Sequence, residues 1–141
     1  MMQIPRAFVG WEVLVADDER DSLEVASRML KIAGARVSTA LNGKDAIAAF
    51  KANPDPVKFV ITDLSMPDMD GWELLYLLQQ ERPKLPVIAL TAHAMAGDRE
   101  RGLTAGFHGY VTKPIDPMRF VQQLVSMLSQ IPEYAPLLKA P

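Results

Sequence analysis

The chain has 141 residues, 49% of them apolar and 23% charged, with a net charge of −2 and no cysteine. That suits one globular domain with a proper core. It excludes disulfides, thiolate catalysis and cysteine zinc sites, and it argues against direct nucleic-acid binding. No apolar run approaches the roughly 18 residues of a membrane span, so no membrane insertion is expected. The lack of cysteine fits a reducing, cytoplasmic setting.

Residues 1–10, interrupted by Pro5 and Gly10, read as a flexible leader without the apolar core of a signal peptide. The domain itself is expected over residues 11–130. Residues 12–16 form a first buried strand that runs out at Asp17 and Asp18. Leu23, Ala26, Leu30 and Ala33 then recur at helical spacing until Gly34 stops the helix. Residues 36–40 are a second strand, and Asn42-Gly43 is a turn. Residues 44–51 are a helix with Ala46, Ile47 and Phe50 inward, broken by Asn53-Pro54-Asp55-Pro56.

The stretch KFVITDLSMPDMDGW, residues 58–72, carries a third strand at 59–62, with Asp63 where it should end. A loop and the Asp70-Gly71 turn lead to a helix over 72–81. Residues 87–90 are a fourth strand ending at Thr91, and a polar helix over 98–105 closes at Gly106. Residues 109–112 are a fifth strand, followed by Lys113-Pro114. Asp116 before Pro117 predicts the start of a last helix, with Phe120, Val121, Leu124, Val125 and Leu128 inward. Residues 131–141 hold three prolines and read as an extended or disordered tail.

Strand and helix alternate five times. This predicts an α/β fold, a parallel sheet covered on both faces. In such sheets the functional crevice lies beyond the carboxyl ends of the strands. Asp17, Asp18, Asp63, Thr91 and Lys113 all fall at those ends. Each has a plainer reading: Asp63 could cap a turn, Asp17 and Asp18 could cap the first helix, and Thr91 and Lys113 could be ordinary strand-end residues. Together they describe something else. Three carboxylates at one edge repel unless a cation or proton neutralises them. An all-oxygen donor set suits Mg²⁺, and a carboxylate beside Mg²⁺ and a lysine is equipped to accept a phosphoryl group. Lys113 would balance the phosphoryl charge, and the Thr91 hydroxyl could donate to a phosphoryl oxygen.

Asp17-Asp18, the DLSMPDMDG run from Asp63 to Gly71, Thr91-Ala92 and YVTKP at 110–114 resemble, in order and spacing, the receiver domain of two-component response regulators, the CheY-like family. The match runs from about residue 11 to about residue 128. The resemblance implies a doubly wound, flavodoxin/CheY-like three-layer sandwich with strand order 2-1-3-4-5. It implies Asp63 as phosphoacceptor, with a phosphohistidine of a histidine kinase or phosphotransfer protein as donor. Asp18, Asp63 and the Ser65 backbone carbonyl would hold Mg²⁺, with Asp17 acting through water. Lys113 would pair with the phosphate, its bond to Pro114 cis. Thr91 and Tyr110 would be the switch pair, remodelling the face built by the fourth helix, fifth strand and fifth helix, roughly residues 94–128.

His93 lies two residues after Thr91, and Ser65 two after Asp63; both are expected to tune the dephosphorylation rate. Neither His93 nor His108 sits in a phosphodonor helix. The expected function is a phosphorylation-activated signalling switch acting on a downstream protein target, with the excised receiver of a hybrid sensor histidine kinase as the alternative. An enzyme acting on external substrates is disfavoured. Phosphatases of the haloacid-dehalogenase type need an acid two residues after the nucleophile, and Ser65 stands there. The chain is expected to catalyse only its own phosphorylation and dephosphorylation.

Overall fold

Apolar runs become the strands, and the polar links between them become turns and caps. The computed structural model describes residues 4–53, 56–92 and 96–138. In chain order the elements are β1 (Glu12–Ala16), α1 (Arg20–Ile32), β2 (Arg36–Ala40), α2 (Gly43–Ala52), β3 (Val57–Asp63), α3 (Gly71–Glu81), β4 (Val87–Thr91), α4 (Ala96–Ala105), β5 (Gly109–Thr112) and α5 (Phe120–Leu128). All strand pairings are parallel, and the sheet order is β2-β1-β3-β4-β5, as the resemblance implied.

Strand alternation divides the core in two. Val13, Val15, Phe59, Ile61, Ile88, Leu90 and Val111 face α1 and α5. Leu14, Ala16, Val60, Val87, Ala89 and Tyr110 face the other way, onto Ala46, Leu74, Leu75 and Leu78. Asn42 caps α2 by accepting the Asp45 N–H at 2.8 Å, and Asp70 caps α3 by accepting the Glu73 N–H at 2.9 Å. Such caps are worth about 1 kcal/mol each.

The structure corrects the reading in four places. β3 starts at Val57, earlier than the predicted run, because Val57 is buried and paired with Glu12. The described part of the leader, residues 4–10, is packed on the domain. Phe8 is fully buried, its ring centroid 5.2 Å from that of Trp11 and 5.3 Å from that of Phe59. Its N–H donates to Ala33 O and its carbonyl accepts from the Trp11 N–H, both at 3.0 Å. Gly10, at φ +80°, takes the turn position that needs a positive φ.

Residues 131–138 of the tail also have regular structure, with a short 3₁₀ helix over Ala135–Leu138. Tyr134 stands edge-on to Trp11 at 5.8 Å and donates its hydroxyl to Lys58 O at 2.5 Å. Phe8 and Tyr134 thus both pack on Trp11, at the amino ends of β1 and β3. Finally, α5 begins at Phe120. Asp116 instead closes a turn, its Oδ1 accepting the Met118 N–H at 3.1 Å and its carbonyl accepting from Arg119 and Phe120 at 3.0 Å.

His108, between α4 and β5, carries a consequence for stability. Burial pushes its imidazole below the usual 6.5, outweighing an opposing hydrogen-bond contribution from the Val87 backbone. The folded state therefore favours the neutral ring. The unfolded chain takes up the proton first, so this contribution is present above the ordinary imidazole value and is lost as pH falls through the lower folded value. Urea unfolding at pH 7.5 and 5.5 is expected to show a smaller acid loss for His108→Gln than for the native chain. Parallel curves would count against it.

Candidate functional site

β1, β3, β4 and β5 end at the same rim, and each delivers one polar group there. Asp17 follows β1, Asp63 closes β3, Thr91 closes β4 and Lys113 follows β5. Asp17, Asp63 and Thr91 are buried, while Asp18 is exposed. Lys113, its side chain 7% exposed, draws the rim together. Its Nζ lies 2.8 Å from Asp63 Oδ2 and 3.0 Å from Asp17 Oδ2. The Lys113–Pro114 bond is cis, and the Lys113 N–H donates to Thr91 O at 2.8 Å, tying β5's end to β4's.

Local chain geometry holds the carboxylates in place. Asp17 Oδ1 accepts the Glu19 N–H at 2.9 Å, and Asp63 Oδ1 accepts the Ser65 N–H at 3.1 Å. Gly71, the first residue of α3, lies directly on the carbonyl of Asp63. A Cβ there would stand 2.2 Å from that oxygen, so only glycine lets α3 start this close to the acid. The Ser65 side chain is exposed at the mouth. His93 lies outside the described residues.

Thr91 and Tyr110 come from neighbouring strands. Tyr110 pairs with Ala89, two residues before Thr91 on β4, so period-two alternation puts both on one face of the sheet. The Tyr110 ring is buried edge-on to Phe107 at 6.1 Å, and Phe107 stands edge-on to Trp72 at 5.3 Å. Its hydroxyl fills the place where a Cβ on Gly102 of α4 would sit.

Charge is the site's dominant property. One ligand atom from each of Asp17, Asp18 and Asp63 fits within a span of 4.8 Å. Burial pushes Asp17 up to about 6, with the Glu19 N–H and Lys113 opposing it and Asp63 reinforcing it. Burial alone would lower Lys113, but hydrogen bonds to Asp63, Glu19 and Asp17 outweigh it and raise the ammonium's pKa above its usual value. Among the described residues, Asp17 Oδ2 is the buried side-chain oxygen with no hydrogen bond of sound geometry, despite its closeness to Lys113. A buried, under-satisfied carboxylate oxygen beside two more carboxylates is a donor set that a hard divalent cation would complete. Asp17, Asp18 and Asp63 therefore fit Mg²⁺.

One participant escaped the sequence reading. Glu19 reaches Lys113 Nζ at 2.5 Å. In sequence it looks like an ordinary acid at the start of α1, and only the partner 94 residues away gives it a place in the site.

The sheet order and the rim now meet the comparisons with known proteins. The pattern of the response regulator receiver domain matches residues 13–125. An uncharacterized 14.6 kDa protein of Leptolyngbya boryana is 42% identical over 118 residues, covering 79% of this chain and 88% of that one. Sensor protein EvgS of Escherichia coli is 34% identical over 124 residues, covering 88% of this chain but only 10% of EvgS. The BeF3-activated receiver domain of DrrB, from Thermotoga maritima, superposes with a TM-score of 0.72 at 31% identity, covering 84% of this chain and 97% of that one. Among the described residues no helix is long and apolar enough to cross a membrane. An acid-lined rim on a 2-1-3-4-5 sheet, matched by pattern, by relatives and by solved structures, places this chain in the response regulator receiver domain family.

Proposed function

We propose that the chain is a phosphorylation-activated switch of a two-component phosphorelay, with Asp63 as the acceptor. The observation that carries this reading is Lys113 Nζ at 2.8 Å from Asp63 Oδ2, inside a rim whose other members are carboxylates. An Asp63 oxygen attacks the phosphorus of a phosphohistidine on a histidine kinase or phosphotransfer protein. The P–O bond forms as the P–N bond breaks, and the departing imidazole takes up a proton. Lys113 offsets the charge gathering on the phosphoryl oxygens, and Thr91 donates its hydroxyl to one of them. Asp18, Asp63 and the Ser65 carbonyl, with Asp17 acting through water, would hold Mg²⁺, which supplies charge neutralisation and alignment.

Output follows from population shift: added charge at the rim biases Thr91 and Tyr110 toward a second arrangement. The α4–β5–α5 face, where Leu103 and Met118 are exposed, would then meet a downstream protein. Ser65 at the mouth, together with His93, tunes phosphoryl lifetime. The chain catalyses only its own phosphorylation and dephosphorylation. Its match to a short stretch of EvgS favours a second setting for the same chemistry, as the receiver module of a hybrid sensor kinase.

Incubation with acetyl phosphate and Mg²⁺ is expected to add one phosphoryl mass, discharged by hydroxylamine as an acyl phosphate is. An unchanged mass, with a known receiver labelled in parallel, would overturn the reading.

A further inference from the structure

The third acceptor on Lys113 differs in kind from the other two. An ammonium has three donors, and here they face Asp17, Asp63 and Glu19. Asp17 and Asp63 are buried at the bottom of the site, whereas the Glu19 side chain is 63% exposed at its mouth. Glu19 is also the N-cap of α1, yet its side chain makes no capping hydrogen bond. An aspartate at an N-cap ordinarily turns onto the helix N–H groups; this longer carboxylate turns onto the lysine. Its backbone is fixed, because the Glu19 N–H is held by Asp17 Oδ1. The side chain can leave for water without disturbing that bond.

Resting on the phosphoacceptor reading above, we propose that Glu19 is a displaceable positioning residue, occupying one Lys113 donor until a phosphoryl group on Asp63 claims it. A phosphoryl oxygen needs that donor, and Asp17, fully buried, has nowhere else to turn. Glu19 yields because water can solvate its carboxylate. Its presence therefore weakens the phosphoryl state relative to the free one, by an amount set by an exposed ion pair.

Beryllofluoride, a stable mimic of the phosphoryl group, tests this at saturating Mg²⁺, with affinity read by calorimetry or tryptophan fluorescence. Glu19→Gln removes the charge and is expected to tighten binding about two- to fivefold, the range of an exposed ion pair. Glu19→Asp keeps the charge, but its shorter side chain falls back onto the α1 N–H groups. It is expected to tighten binding by a similar factor. A simple through-space charge effect would move Glu19→Gln alone, and that result would overturn the proposal, as would two variants that bind like the native chain. If the native chain binds no beryllofluoride at all, the phosphoacceptor reading itself falls.

Discussion

Asp63→Asn is expected to abolish the phosphoryl mass gain from acetyl phosphate while leaving the domain folded. The substitution is nearly isosteric, and the amide oxygen still accepts the Ser65 N–H that Asp63 Oδ1 takes at 3.1 Å. A carboxamide does not attack phosphorus to give an acyl phosphate, so chemistry is lost where packing is kept. Mg²⁺ binding should weaken as well, since one of the three clustered carboxylates becomes neutral. Mass spectrometry after incubation gives the main readout, and circular dichroism checks the fold. A variant that folds and still gains one phosphoryl group would move the acceptor elsewhere, with Asp17 and Asp18 the next residues to replace.

The second large effect lies at the far end of the molecule. Phe8→Ala is expected to cost about 3–5 kcal/mol, the usual penalty for emptying a buried phenylalanine site. Phe8 is fully buried among Trp11, Phe59 and the α1–α5 side of the core. Its removal leaves a hole beside Trp11 and Phe59, on a buried strand with little freedom to close it. Domains of this kind hold roughly 5–15 kcal/mol in all, so the variant should unfold at markedly lower urea. A loss below about 1 kcal/mol would mean that the leader contributes nothing to the core.

Strand ends explain why so much was legible in the sequence. Apolar runs marked the buried strands, and the acids, threonine and lysine that closed them lay at the rim by topology alone. What escaped needed distant partners. Pro5 and Gly10 read as interruptions, although Gly10 makes the turn that folds Phe8 back over the core. Three prolines hid Tyr134, whose place depends on Trp11, more than a hundred residues away, and on Lys58, 76 residues away. Asp116-Pro117 carried the signature of a helix start, but Asp116 closes a turn in front of α5. Glu19 looked like any first-turn acid, because its ion pair exists only once β5 lies beside β1's loop. The stack from Trp72 through Phe107 to Tyr110 follows no local spacing, since its members sit on α3, a loop and β5.

Phe8 and Tyr134 both pack on Trp11, at the amino ends of the strands, and this has a practical consequence. Asp63 sits at the opposite pole of a parallel sheet, with the length of the strands between. A fluorophore or affinity handle attached at an exposed position of these segments, such as Val9 or Leu137, would hang beneath the amino ends of β1 and β3. The acid cleft at the other end would stay unobstructed.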